Sequence, residues 1–224
     1  MKIKLTISGN NSFVPFVHQP LLVGTIQKWL GDNEWHGNKS PFSFSRLRGG
    51  RAVKGMNGMM FESTGSLVIG TPYKEVLDRF INGISKDPTM FNGLVVQEIL
   101  VMGDPDLSDC DIFYPVSPIL LKQKCPEGGY SHIVFSNKKE ADEALTESLQ
   151  AKLRMGGIED PSARAEFIRD SEGAKEMLID YRGVKNKTSW CPIRIIGKPE
   201  TKLYIWNIGI GHSTGIGFGC ITDK

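Results

Sequence analysis

The stretch TPYKEVLDRFINGI (residues 71–84) carries the helical pattern from which the fold of the first half can be worked out. Its apolar residues recur at intervals of three and four, so they share one face of a helix. Thr71 and Pro72 suit the residues that open a helix. The apolar face consists of Tyr73, Val76, Leu77, Phe80, Ile81 and Ile84.

Strands are predicted on both sides of this helix, over residues 59–69 before it and 94–102 after it. Upstream lie a strand over residues 1–7 with alternating apolar residues, a helix over residues 20–30 that Gly31 ends, and a strand over residues 42–47. The resulting order is strand, helix, strand, strand, helix, strand. That is the order of a ferredoxin-like fold, in which two helices cover one face of a four-stranded antiparallel sheet. Another α+β sandwich with the same order stays open.

The polar, acidic stretch GDPDLSDCD (residues 103–111) predicts the boundary between two units. In the second unit, Asn137 and Glu140 are expected to cap a helix that runs to Met155. Residues 203–210 fit either a short helix or a strand, and we favour the helix because it repeats the order of the first half. The other expected elements are strands over residues 116–120, 132–135, 176–184, 190–196 and 218–222, with a basic turn at 185–187. The sequence therefore predicts tandem ferredoxin-like (RRM-like) βαββαβ folds, with domains at 1–105 and 110–224.

The composition is that of a globular protein, with 224 residues, 40% of them hydrophobic, and a net charge of +2. A strong nonspecific nucleic-acid binder usually carries more positive charge, so any such site must be a local patch. The four cysteines lie far apart without a Cys-x-x-Cys pair, which argues against a zinc site. We find no signal peptide and no membrane-spanning stretch, and we expect a cytoplasmic protein with reduced thiols.

The segment GIGHSTGIGFG (residues 209–219) has five glycines in eleven positions. A dinucleotide-binding fingerprint is excluded because Thr214 occupies the position of its third glycine. A phosphate-binding P-loop is excluded too, because no Gly-Lys-Ser/Thr is present. Two interpretations stay open: a tight turn that leads into a last strand, and a nest of backbone N–H groups for phosphate oxygens.

Three blocks of the chain carry a resemblance to a known family. They are the glycine-rich segment, PFVHQPLLVGTIQKWLGDNEWHGNKSPFSFSRL (residues 15–47) and YPVSPILLK (residues 114–122). Together they resemble the CRISPR-associated endoribonucleases that process repeat RNA, the Cas-six family of the RAMP superfamily. The resemblance implies tandem ferredoxin-like folds in which the glycine-rich loop links the last helix to the last strand and contacts RNA. The implied RNA-binding residues are Gly209, Gly211, His212, Ser213, Gly215, Gly217 and Gly219, and we add Arg46 and Arg48 from the basic cluster after the second strand.

The resemblance also implies that His36, in the polar loop DNEWHGNKS (residues 32–40), is the catalytic histidine. RNA supplies its own nucleophile, the 2′-hydroxyl, and a histidine with a pKa of about 6.5 both removes and donates protons near neutral pH. No metal or cofactor is then needed. Two positions depart from the pattern of some members, which have a tyrosine where this chain has Gln27 and a lysine where it has Ser40. Lys39, one place earlier, is a candidate for stabilising the phosphate charge.

The predicted activity is therefore metal-independent cleavage of CRISPR repeat RNA, which leaves a 2′,3′-cyclic phosphate. Two alternatives stay open: a module that binds repeat RNA without cleaving it, and a structural subunit of a CRISPR interference complex. Other subunits of such a complex and a second copy of the chain are the protein partners that these interpretations allow.

Overall fold

The computed structural model describes residues 1–33 and 40–223. The first half contains, in chain order, β1 (Lys2–Ser8), β2 (Ser12–Pro15), α1 (Gln19–Leu30), β3 (Ser43–Phe44), β4 (Arg51–Ala52), β5 (Gly58–Phe61), β6 (Gly65–Gly70), α2 (Lys74–Lys86) and β7 (Val95–Met102). The second half continues with β8 (Ile112–Pro115), β9 (Leu121–Lys124), β10 (Tyr130–Ile133), α3 (Lys139–Met155), β11 (Arg164–Phe167), β12 (Lys175–Tyr181), β13 (Val184–Trp190), β14 (Ile193–Ile196), α4 (Pro199–Ile208) and β15 (Ile221–Thr222). Among the described residues, no helix has the length and apolar character needed to cross a membrane.

Each half is built around an antiparallel four-stranded sheet with the same topology. The strand orders are β3-β6-β1-β7 and β11-β14-β8-β15. If the four strands of each half are numbered along the chain, both sheets have the order 2-3-1-4, so the first strand lies between the third and the fourth. In the first sheet, Lys2 pairs with Gly70 of β6 on one side and with Met102 of β7 on the other. The prediction of two tandem ferredoxin-like folds is confirmed.

The helices of the first half follow the sequence pattern closely. In α2, Val76, Leu77, Phe80 and Ile84 are buried in the first hydrophobic core, as the apolar stripe predicts. Gly31 ends α1 with a φ of +67°, a left-handed conformation that glycine adopts without steric cost.

Two predicted strands are divided differently in the structure. The single strand expected over residues 59–69 is wrong, because β5 and β6 are separate strands of different sheets. The polar residues between Phe61 and Gly65 form the turn that separates them. The sequence predicts a strand between β8 and β9, but the buried backbone there bonds to scattered partners outside a regular ladder, among them Ser189 and Cys220.

Two predicted turn features are also wrong. Lys185 and Lys187 lie within β13 rather than in a turn, since the hairpin turns at Arg182 and Gly183, whose φ values are +52° and +81°. Asn137 does not cap α3, because its side chain instead accepts the backbone N–H of Val134 at 2.8 Å. The prediction of a helix over residues 203–210 is confirmed by α4, although that helix begins earlier and ends at Ile208.

The two halves are joined by buried polar contacts as well as by apolar packing. The Nζ atom of Lys2 donates to the carbonyl of Ile221 at 2.5 Å and lies 3.8 Å from the centroid of the Trp206 ring. The hydroxyl oxygens of Tyr73 and Tyr204 are 3.0 Å apart. Since each contact pairs a residue of one half with a residue of the other, the halves form one packed body.

Because the amine of Lys2 is buried, the stability of the protein is expected to change with pH in the alkaline range. Burial lowers its pKa from 10.5 to about 8. Between these values the unfolded chain binds the proton and the folded chain does not, so the free energy of unfolding rises with pH. This contribution is complete above the unfolded pKa and is lost as the pH falls through about 8. We expect Lys2→Met to remove a rise of about 3 kcal/mol between pH 7 and pH 11, measured by urea unfolding.

Lys4→Met is the matched control, because Lys4 is exposed on the same strand. It should keep the pH dependence of the wild type. The same pH dependence in the wild type and in Lys2→Met would show that Lys2 does not cause it.

Candidate nucleic-acid interface

The glycine-rich loop (Gly209–Gly219) links α4 to β15, as the resemblance implies. Its two ends meet, because the N–H of Ile210 donates to the carbonyl of Gly219 at 2.8 Å. The N–H of Gly219 in turn donates to the carbonyl of Pro118 at 2.8 Å. These bonds fix the loop against the start of the second half.

The five glycines of the loop are buried, and the packing around them explains why glycine is needed there. A Cβ atom on Gly215 would collide with Oγ of Ser40, and one on Gly217 would lie 2.9 Å from the ring of Phe44. Both neighbours belong to the first half, so the loop lies in the seam between the halves. The four glycines with a positive φ, between +68° and +91°, are Gly209, Gly211, Gly217 and Gly219.

The side chains of His212 and Ser213 reach the surface of the loop, where both contact Lys122 of β9. Nδ1 of His212 accepts the backbone N–H of Lys122 at 3.2 Å, and Nζ of Lys122 donates to Oγ of Ser213 at 3.4 Å. Since Nδ1 is an acceptor, the ring proton of a neutral His212 is on Nε2.

The surroundings of His212 favour that neutral form. Partial burial lowers the pKa of His212 the most, and the positive charges of Lys122 and Lys152 lower it further. Near neutral pH the ring therefore presents an uncharged Nε2–H, which donates a hydrogen bond to an anion without needing to be protonated.

A groove of about 610 Å³ opens beside these residues. The described residues that line it include two lysines and no acidic side chain. Burial lowers the pKa of Lys122, which shows that its amine is partly desolvated and that a bound anion would interact with it strongly. The polar lining residues are Ser40, Lys122, Tyr130, Ser148, Lys152, His212, Ser213 and Thr214. The arrangement is suited to holding phosphate groups.

The predicted catalytic residues His36 and Lys39 lie outside the described residues. Ser40, the next residue along the chain, lines the groove and lies against Gly215. Among residues 1–33 and 40–223, no group of three or more His, Cys, Asp or Glu side chains is arranged to hold a metal ion.

The two arginines predicted to bind RNA do not line this groove. Arg46 borders a different cavity, beside Phe16 and Asp180. Arg48 is exposed, and its backbone bonds to Ser66 of β6. The interface predicted from the sequence therefore divides into two separate surfaces.

The groove depends on Lys122 and Lys152, which we did not predict as site residues. Lys122 is the last residue of the YPVSPILLK block (residues 114–122), and Lys152 lies in the last turn of α3. An exposed lysine in either position is ordinary on sequence grounds, and only the packing of α3 beside the loop brings the two to one groove.

A family model described as "CRISPR associated protein Cas6, C-terminal" matches residues 104–222. Among solved structures, the chain is similar to one described as "Characterization of a Cas6-related gene from Pyrococcus furiosus", with 22% identity, a TM-score of 0.82, and coverage of 99% of this chain and 97% of that one. It is also similar to "CRISPR associated protein Cas6", with 21% identity, a TM-score of 0.77, and coverage of 99% and 98%. A third, "An RAMP protein binding different RNA substrates", has 18% identity, a TM-score of 0.81, and coverage of 99% and 98%. A search of curated proteins gives no match.

Proposed function

The chain belongs to the Cas6 family of CRISPR-associated proteins, and on that premise we propose that it binds CRISPR repeat RNA and cleaves it without a metal ion. The observation that carries the proposal is the groove beside the glycine-rich loop, in which Lys122, Lys152 and His212 line one cavity. Phosphate contacts of this kind hold an RNA strand in register.

One residue that lines the groove is close in sequence to the candidate catalytic residues. Ser40 lines the groove, Lys39 precedes it directly, and His36 is four residues away. Four residues span at most about 14 Å, so the Cα atom of His36 lies within that distance of Ser40. This bound is compatible with the proposal, which requires the imidazole of His36 to reach a strand held in the groove.

The chemistry assigned to these residues is proton transfer and charge stabilisation. His36 assists removal of the proton from the 2′-hydroxyl or donates a proton to the leaving 5′-oxygen. The 2′-oxygen attacks the adjacent phosphorus, and the bond to the 5′-oxygen breaks. Lys39, with the N–H of His212 and the amines of Lys122 and Lys152, offsets the negative charge that develops on the phosphate. The products are a 2′,3′-cyclic phosphate and a 5′-hydroxyl.

A second candidate is a module that binds repeat RNA without cleaving it. The structural similarity to a protein described as binding different RNA substrates favours keeping this candidate. The same groove would serve both functions, and only the chemistry at residues 36 and 39 separates them.

The test is incubation of the full chain with end-labelled repeat RNA in the presence of EDTA. We expect cleavage at one position, with a 2′,3′-cyclic phosphate and a 5′-hydroxyl at the new ends. A matched RNA with a single 2′-deoxyribose before the cut should bind and stay intact, because the nucleophile is missing. Binding of both RNAs without cleavage would favour the non-cleaving module, and no binding would favour a structural subunit.

A further inference from the structure

A cavity of about 270 Å³ separate from the groove opens between the N-terminal end of α1 and the hairpin of β12 and β13. One wall carries Phe16, just before α1, and Arg46, just after β3. The other is formed by β12, with Leu178 and Asp180.

The guanidinium of Arg46 has an unusual environment in this cavity. It is partly buried, and that burial lowers the pKa of Arg46. Among the described residues Arg46 has no salt bridge, and Asp180 lies on the opposite wall of the cavity. Because Arg46 lines the open cavity, its guanidinium is accessible to a ligand, and a planar guanidinium gains from stacking on an aromatic face.

The rim of the cavity is apolar although it faces solvent. Phe16 is 45% exposed and Leu178 is 58% exposed. An exposed ring beside an unpaired guanidinium provides two flat surfaces, which is how proteins hold an unstacked nucleobase.

The backbone of β12 adds hydrogen-bonding groups to the second wall. The hairpin has a two-residue turn with positive φ at Arg182 and Gly183, the pattern of a type I′ turn, so Tyr181 and Val184 are a hydrogen-bonded pair. Because hydrogen-bonded and non-hydrogen-bonded pairs alternate, the N–H and C=O groups of Leu178 and Asp180 point away from β13, on the outer edge of β12. Both residues line the cavity.

The carboxylate of Asp180 also has an oxygen atom that can accept a hydrogen bond from a ligand. Its Oδ1 atom accepts the N–H of Gly183 at 2.9 Å, which fixes the side chain and leaves Oδ2 as an acceptor. An ionised carboxylate accepts hydrogen bonds but donates none. It therefore suits a base with an amino group and repels a base whose edge carries carbonyl oxygens.

We propose that this cavity binds one unpaired nucleobase with an exocyclic amino group, stacked on the wall that carries Phe16 and Arg46 and read by Asp180 on the other wall. The inference rests on the proposed RNA binding and extends it to a position outside the groove. Lys185 and Lys187 pair directly with Asp180 and Leu178 across the hairpin, so they lie on the same face as these residues. This positive charge beside the cavity favours RNA over a protein strand as the occupant.

The test is fluorescence anisotropy of the full chain with short labelled oligoadenylate, oligocytidylate and oligouridylate. We expect the wild type to prefer the first two.

Phe16→Ala should weaken oligoadenylate binding about 10-fold, since stacking contributes on this scale per base. Arg46→Lys should weaken it while keeping the salt dependence, because the charge stays and the planar group is lost. Asp180→Asn should bring oligocytidylate and oligouridylate to within about 2-fold, because an amide both donates and accepts.

Leu100→Ala is the matched control, since Leu100 is 53% exposed on β7 and does not line the cavity. It should bind all three RNAs as the wild type does. RNA binding that Phe16→Ala and Asp180→Asn leave unchanged would overturn the cavity proposal while the proposed function stands. That outcome would instead favour another protein chain as the partner of the apolar rim. A wild type that binds none of these three RNAs would overturn the cavity proposal, and a wild type that also fails to bind repeat RNA would overturn both.

Discussion

Replacing His36 with alanine is expected to lower the rate of RNA cleavage about 10²- to 10⁴-fold, the range that general acid–base catalysis by one side chain contributes. RNA affinity should change less than about 2-fold, because the phosphate contacts assigned to Lys122 and Lys152 do not involve this side chain. The measurement is single-turnover cleavage in EDTA together with a binding assay on the same RNA.

His132→Ala is the control for the loss of a histidine as such. His132 is in the β9–β10 hairpin and does not line the groove, so its replacement should leave the cleavage rate unchanged. A His36→Ala protein that cleaves at the rate of the wild type would remove His36 from the mechanism. A parallel loss of affinity and cleavage would instead assign His36 to RNA binding.

Replacing Gly219 with alanine is expected to lower the free energy of unfolding by about 4 kcal/mol, which combines backbone strain with overpacking. Gly219 has a φ of +68°, and a Cβ atom there would collide with the carbonyl oxygen of Ile210. That collision would break the bond from Ile210 N–H to Gly219 O, which closes the loop. Urea or thermal unfolding measures the loss.

Gly24→Ala is the matched glycine control. Gly24 lies inside α1, and a Cβ atom there meets nothing within 4 Å. We expect a gain of about 0.5–1 kcal/mol, because alanine loses less backbone entropy in a helix. A stable Gly219→Ala protein with weakened RNA binding would mean that glycine is needed there for approach of the ligand rather than for packing.

The sequence predicted the order of elements better than their limits. Helical spacing placed α1 and α2 because each buries one continuous stripe, and the repeated order then predicted α4 correctly. The turn at Arg182 and Gly183 was misplaced because three charged or polar residues after it (Lys185–Lys187) look like a turn, whereas in β13 only Asn186 of the three is buried. In an isolated hairpin, apolar and polar residues alternate less clearly along the chain, so the sequence pattern of its strands is weak.

The candidate site was predictable only in part, because it combines distant segments. The glycine-rich loop is conspicuous in the sequence, yet glycine spacing does not distinguish a backbone that approaches RNA from one that packs against Ser40 and Phe44. Lys122 and Lys152 come from a strand and a helix whose proximity depends on tertiary packing. Arg46 was predicted as an RNA-binding residue of a basic cluster, which stays a prediction, and its cavity could not be foreseen without β12.

The bonds that hold the glycine-rich loop in the seam also bear on the thermodynamics of recognition. The backbone N–H of His212 donates to the carbonyl of Leu120 at 2.7 Å, and Gly215 packs against Ser40. A binding surface that is already ordered loses little conformational entropy when a ligand arrives. We therefore expect the loop to act, in the proposed RNA binding, as a preorganised element rather than as a segment that folds around its ligand.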